Sequence, residues 1–372
     1  MASKKTIVIA SDSFKGTLSS LDICHLFEEH FKDRKDISLI TLPIADGGEG
    51  SLDAISKILD GRFIDIEVCG LYFNKIKSRF FVDDNNNAYI ESASVVGLSL
   101  ANEDNNPGLV TTCGIGEQIG TAIDLGYKNI YVFLGGSATN DAGCGLAAAL
   151  GTKFYDENNL EFIPVGLNLK DIKKIDSTLT KNYLKDVKIT VLSDVKSPFY
   201  GKEGAAYKFA KQKGANDEEI VLLDEGLKHL STIVSRDLSI DLVNVPGSGA
   251  AGGLGGGLFA FCNSKIVSGI DTLLDLIKFD DIIADADLVI SGEGKLDKQT
   301  LDGKVIDGVA KRCLKQNKPL DLIVGISEIS LKEMQERYPC VLHIYETNDK
   351  HLPFDEIKDR AKESYITCIK KL

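Results

Sequence analysis

Several things are missing from this chain, and each absence removes a class of function. No apolar run approaches 18 residues, so no membrane-crossing helix is expected. No two of the eight cysteines stand at Cys-x-x-Cys spacing, and the five histidines lack metal-ligand spacing, so zinc and dithiol redox sites are not expected. Neither a G-x-x-x-x-G-K-[ST] loop nor a Gly-x-Ser-x-Gly elbow occurs. Positive charge is in deficit, with 43 Lys and Arg against 55 Asp and Glu, a net charge of −12. Such a field repels nucleic acid, and no basic arm offsets it locally. The expected partner is a small metabolite, neither nucleic acid nor membrane. The start, Met1-Ala-Ser-Lys-Lys5, runs straight into a strand-like stretch with no signal-peptide pattern, so a cytoplasmic location is expected.

What is present reads as an α/β protein of two domains, the natural prior for 372 residues. Thr6-Ile-Val-Ile-Ala10 suits a buried parallel strand. Ser19 and Asp22 fit a capping box, after which Ile23, Leu26, Phe27 and Phe31 recur at helical spacing. A second strand over 37–42 and a helix marked by Leu52, Ile55 and Leu59 follow. The texture then changes to period-two alternation at Ile64, Ile66 and Val68, and to a hairpin around Asp83-Asp-Asn-Asn-Asn87. From Asp287 the strand–helix–strand pattern of a right-handed βαβ unit returns. Residues 1–60 and 285–372 are therefore expected to form one doubly wound parallel-sheet domain, with a mixed-sheet α/β domain at 61–284 inserted.

Five strand-end loops combine Gly with Asp, Glu, Ser, Thr or Lys, and in open α/β sheets ligands bind outside the carboxyl ends of strands. Ser11-Asp-Ser-Phe-Lys-Gly16 offers Asp12, Ser13 and Lys15. Pro43-Ile-Ala-Asp-Gly-Gly-Glu-Gly50 offers Asp46, placed to accept a hydroxyl hydrogen bond, and Glu49, for which favouring the next helix N-terminus is the bland alternative. Gly135-Gly-Ser-Ala-Thr-Asn-Asp-Ala-Gly143 is an anion cradle in physical terms, although Ser137, Thr139 or Asn140 could simply cap a helix. Asp194 follows a buried-looking strand and precedes a turn at Pro198, with capping as the bland alternative. Ser291-Gly-Glu-Gly-Lys-Leu-Asp-Lys-Gln-Thr-Leu-Asp-Gly-Lys304 reads as a Gly-rich turn carrying Glu293, Asp297, Lys295 and Lys304, with Glu293 in a backbone or helix-terminus role. Acids and lysines together make sense where Mg²⁺ stands between carboxylates and phosphates. Gly247-Ser-Gly-Ala-Ala-Gly252 matches G-x-G-x-x-G, with Asp271 about 20 residues on, and raises an NAD-dependent oxidoreductase of small hydroxy acids as a rival. The glycines continue through Gly257, which argues for a packed loop and against a helix there.

From end to end the chain resembles the bacterial type-1 glycerate kinase family. The resemblance rests on Ala10-Ser-Asp-Ser-Phe-Lys-Gly16, Ala45-Asp-Gly-Gly-Glu-Gly50, the 135–143 loop, Ser193-Asp194, Gln212-Lys-Gly-Ala215, Pro246-Gly-Ser-Gly-Ala-Ala-Gly-Gly253 and Ser291-Gly-Glu-Gly-Lys-Leu-Asp-Lys-Gln-Thr300. Lys298 and Lys196 stand at variable positions, and neither replaces a motif acid or glycine. The resemblance implies ATP- and Mg²⁺-dependent phosphorylation of D-glycerate, mostly at the 2-position, by a flavodoxin-like domain with a second domain inserted and the active site in the cleft between them. Glycerate is then expected against Asp12, Ser13, Lys15, Asp46, Glu49 and Glu293. Gly135, Gly136, Ser137, Thr139, Asn140 and Lys213 would face the nucleotide phosphates. Asp194 and Asp297 would serve as metal ligand or base, with Lys15 also catalytic. A non-catalytic sugar-acid binding protein is the third alternative, and a homodimer is left open.

Overall fold

The computed structural model describes residues 4–45, 47–349 and 352–372. Contacts divide the chain into two compact units. Unit 1 is Met1–Asp46, Asp53–Leu59 and Ile270–Leu372; unit 2 is Gly47–Leu52 and Asp60–Gly269. Unit 1 thus resumes at Ile270, earlier than the 285 read from periodicity. Ile270 and Leu274 face Gly308 so closely that a Cβ there would meet them, which fixes this stretch inside unit 1.

Strands β1 (Lys5–Ser11) and β2 (Ile37–Pro43) open unit 1. Unit 2 supplies β3 (Gly61–Cys69), β4 (Lys75–Asp83), β5 (Asn87–Glu91), β6 (Asn129–Phe133), the short β7 (Lys153–Tyr155), β8 (Glu161–Phe162) and β9 (Lys174–Asp176), then β10 (Lys188–Leu192) and β11 (Lys265–Val267). Unit 1 closes with β12 (Leu288–Leu296), β13 (Leu320–Ser327) and β14 (Val341–Glu346). Its sheet runs β14-β13-β12-β1-β2, parallel throughout. Taken in the order in which unit 1 makes its strands, that is 2-1-3-4-5, the flavodoxin-like arrangement, whose direction switches between β1 and β12. Helices cover both faces, so Val8, Ile9, Val289 and Ile290 are wholly buried and these strands read as continuous apolar runs. The first helix, Ser20–Phe31, starts with the expected box: Ser19 Oγ accepts the Asp22 N–H at 3.0 Å and Asp22 accepts the Ser19 N–H at 2.9 Å. Its Ile23, Phe27 and Phe31 pack with Tyr365 and Ile290 in the unit 1 core.

Unit 2 holds a six-stranded mixed sheet, β11-β10-β6-β5-β4-β3, and a three-stranded antiparallel sheet, β8-β7-β9. Among the described strands of the larger sheet, β4 alone is reversed: it pairs antiparallel with β3 and with β5, and the remaining pairs are parallel.

Three local readings are corrected. The run 291–296 is no turn: β12 continues through Leu296, pairing Glu293 with Val324 and Lys295 with Ile326 of β13. Gly292 is a close-approach position, since a Cβ there would overlap the Ile323 carbonyl. Secondly, Leu254–Cys262 is a helix despite Gly255, Gly256 and Gly257. Side chains there would strike Gly247, Phe199 and Ala142, so tight packing overrides propensity. Thirdly, the helix after the 135–143 loop starts only at Cys144 and is six residues long. Neither Ser137, Thr139 nor Asn140 caps it, since its N-cap position is Gly143, with no side-chain bond.

Candidate active site

In unit 1, the polypeptide leaves β1 at the switch point and is tied at once to β12. The Asp12 N–H donates to the Gly292 carbonyl at 2.9 Å, and Ser11 Oγ donates to the same oxygen at 3.1 Å. This closure brings residues 281 apart in sequence into one wall. A pocket of about 290 Å³ opens beside it. Asp12, Ser13 and Lys15 line it from the β1 loop, Glu293, Gly294 and Lys295 from β12, and Lys304 from the start of the following helix. Asp12 is buried and accepts the Ser13 N–H at 2.7 Å, while Lys15 is exposed. The sequence reading gathered Asp12, Ser13, Lys15 and Glu293 as substrate residues, and all four line this pocket.

A buried hydroxyl that the sequence reading did not single out organises the far wall. Thr300, wholly buried, donates its hydroxyl hydrogen to the Glu293 carboxylate. The same oxygen accepts the Asp297 N–H at 3.1 Å. Asp297 in turn accepts the Gln299 N–H at 2.9 Å and faces the Lys295 ammonium at 3.6 Å. Glu328 sits closer to that ammonium, at 2.8 Å, and this bond raises the lysine's pKa above its ordinary value. Glu293 is therefore a strand residue whose carboxylate is oriented toward the pocket wall by Thr300, which revises the backbone or helix-terminus role expected for it.

Unit 2 carries the other candidates. Gly135 lies so close to Gly48 that a Cβ would overlap its backbone, which seats the 47–50 turn against the 135–141 loop. Glu49 on that turn is exposed, and Asp46 lies outside the described residues. Within the loop, Lys213 reaches in from a 3₁₀ turn with 4% of its surface exposed. Its Nζ donates to Ser137 Oγ at 3.0 Å and to the Thr139 carbonyl at 2.7 Å. Burial pushes its pKa down to about 7, against the opposing pull of Asp141. Asp141 is itself buried; its carboxylate accepts the Thr112 N–H and hydroxyl, each at 2.8 Å, and the Gly143 and Gly145 N–H groups. Among the described residues, Thr139 Oγ1 and both ends of the Asn140 amide are buried without a hydrogen-bond partner. Asp194, after β10, accepts Ser268 Oγ at 3.0 Å and the Gly269 N–H at 2.9 Å.

The G-x-G-x-x-G match at 247–252 lacks the context a dinucleotide fingerprint requires. It follows a long helix, Asp217–Leu238, and a turn, where a strand should stand. Gly252 instead allows close approach to the Thr139 carbonyl, which a Cβ would overlap.

A flavodoxin-like sheet with a charged pocket at its switch point, in a chain that also carries loops built of glycines, hydroxyls and a buried lysine, defines an α/β enzyme of small molecules. The model of the glycerate kinase family matches residues 7–371. The glycerate 2-kinase of Escherichia coli K12 is 38% identical over 322 residues, 86% of this chain and 84% of that protein. The glycerate kinase of Neisseria meningitidis serogroup B is 41% identical over 308 residues, 82% of each. A crystal structure of a candidate glycerate kinase 2 from Salmonella typhimurium LT2 superposes with a TM-score of 0.83 at 34% identity, over 99% of this chain and 97% of that one. The chain belongs to the glycerate kinase family, and it is a kinase.

Proposed function

We propose that the protein transfers the γ-phosphoryl group of ATP to a hydroxyl of D-glycerate, with the 2-hydroxyl favoured over the 3-hydroxyl. The observation that carries this reading is the unit 1 pocket, where acids and lysines face one small space. Lysines attract a carboxylate and the transferring phosphoryl group, while carboxylates orient hydroxyls and can take a proton. Each charge-assisted hydrogen bond is worth roughly 1.5–3 kcal/mol, so a few are enough to hold a three-carbon acid in one pose.

In this proposal Asp12, Ser13, Lys15 and Glu293 hold glycerate, with Asp46 and Glu49 as further substrate residues. Lys15 stabilises charge on the phosphoryl group as the hydroxyl oxygen attacks phosphorus and the bond to ADP breaks. The substrate's hydroxyl proton passes to a carboxylate, for which Asp194 and Asp297 are the candidates. Gly135, Gly136, Ser137, Thr139, Asn140 and Lys213 are proposed to receive the nucleotide phosphates. The unpartnered amide of Asn140 and hydroxyl of Thr139 beside a buried cation support that assignment.

Asp194 and Asp297 also suit Mg²⁺ chemically, as hard oxygen donors; Mg²⁺ takes one or two protein carboxylates and completes its shell from phosphates and water. Asp297 has one oxygen on backbone N–H groups and the other in a loose 3.6 Å ion pair, a contact a stronger cation can displace. When bound, Mg²⁺ supplies neutralisation of the phosphate charge.

A coupled assay of ADP release from ATP, Mg²⁺ and D-glycerate tests the reading; no turnover rejects it and leaves the sugar-acid binding alternative. Wild-type turnover in both Asp194→Asn and Asp297→Asn would reject these two assignments. No described helix is long and apolar enough to cross a membrane. A cytoplasmic location and a homodimer belong to the proposal, with sedimentation velocity as the check on the latter.

A further inference from the structure

Five charged side chains line the unit 1 pocket, and they differ in how far each is already engaged by neighbours. Lys295 is held by Glu328 and Asp297. Glu293 accepts the Thr300 hydroxyl, and Asp12 the Ser13 N–H. Lys304 stands apart: among the described residues no carboxylate lies within ion-pair distance of it. The nearest acid along its own helix (Val305–Lys315), Asp307, is taken up by Lys311, Arg337 and Tyr338.

Lys304 is also well fixed. Gly303 before it has φ +111°, a left-handed conformation that glycine adopts freely and that ends the 300–302 turn. The Lys304 N–H donates to the Thr300 carbonyl at 3.3 Å, and its own carbonyl accepts the Gly308 N–H at 3.0 Å. Its backbone is thus anchored to the buried Thr300 on one side and the helix on the other. The result is a half-buried lysine on a fixed backbone, lining a small pocket, with no carboxylate among the described residues within ion-pair distance.

We propose that Lys304 is the specificity-determining cation of this pocket, pairing with the substrate's carboxylate and so selecting a hydroxy acid over a neutral polyol of the same size. The inference rests on the glycerate reading above for the identity of the substrate. Lys295 cannot serve equally, because a carboxylate would have to compete with Glu328 for it.

The test measures binding of D-glycerate, glycerol and ATP by calorimetry to wild type, Lys304→Met and Lys304→Arg, together with ATP turnover on glycerate by the wild type. Glycerol keeps three carbons and replaces the carboxylate with an alcohol. Losing one charge-assisted bond should weaken glycerate binding about 10- to 100-fold in Lys304→Met, leave ATP within about twofold, and leave glycerol unchanged. Lys304→Arg should retain most of the glycerate affinity. If Lys304→Met fails to fold, Lys304→Gln carries the same comparison. Unchanged glycerate affinity in the neutral variant overturns the inference, as does a loss confined to ATP, which would hand this lysine to the phosphates. A wild type that binds glycerate without turning it over defeats the kinase reading and leaves the inference standing; one that binds no glycerate defeats both.

Discussion

The hydroxyl of Thr300 bonds to both Glu293 and the backbone of Asp297, so one small group sets the shape of a whole pocket wall. Thr300→Val keeps the volume and removes the oxygen. Glu293 then loses a charge-assisted bond worth about 1.5–3 kcal/mol, and kcat/KM for glycerate should fall roughly 10- to 100-fold. Thr300→Ser should restore most of it, which a purely steric role would not allow; steady-state kinetics on the two variants decides. Lys213 gives a second prediction at this scale. Its folded pKa, about 7, lies below the ordinary lysine value, so between pH 7 and about 10 the unfolded chain binds more protons than the native one. Stability contributed at this site therefore rises with pH across that window and is flat below it. Urea midpoints at pH 6, 7.5 and 9 should show wild type gaining on Lys213→Met only above pH 7. A constant difference would mean the ammonium is not desolvated.

Among the elements, the helix Leu254–Cys262 sets packing against propensity. Alanine at Gly257 would favour an isolated helix by about 1 kcal/mol. In the fold, its Cβ would overlap the Ala142 carbonyl, and backbone cannot yield cheaply. Gly257→Ala should therefore destabilise by about 1–3 kcal/mol, read as a lower urea midpoint, where propensity alone predicts a higher one. The same contest explains what the sequence revealed. The Ser19–Asp22 box was legible because both partners are local, and β1 because burial on two faces leaves a continuous apolar run. The end of β12 was not, since Ser-Gly-Glu-Gly-Lys-Leu carries turn-forming glycines, and only the pairing with β13 alongside turns them into strand. Asp12, Ser13, Lys15 and Glu293 were legible as pocket residues through the rule that ligands gather at carboxyl ends of strands. Thr300 was hidden, because a threonine in a polar loop has no pattern that discloses a buried bond to a strand seven residues earlier.

At the scale of the whole molecule, the described residues that line the pocket all belong to unit 1, although they come from two stretches far apart in the chain. A ligand that binds only folded unit 1 should stabilise that unit by mass action: at a hundred times its Kd, by about 2.7 kcal/mol. Hydrogen exchange with D-glycerate and without nucleotide reads this directly. Amides of Val8, Ile9, Ile290 and Val324, buried in the unit 1 sheet, should exchange about a hundredfold more slowly where they exchange through global opening of the unit. Those of Val132 and Val191 in the unit 2 sheet should keep their rates if the pocket lining, which includes no described unit 2 residue, holds glycerate without a strong contribution from Glu49 of unit 2. Equal slowing in both sets would mean that the two compact units open as one cooperative body. Slowing in unit 2 alone would move glycerate to the 135–141 loop, where the buried Lys213 would be its cation in place of Lys304.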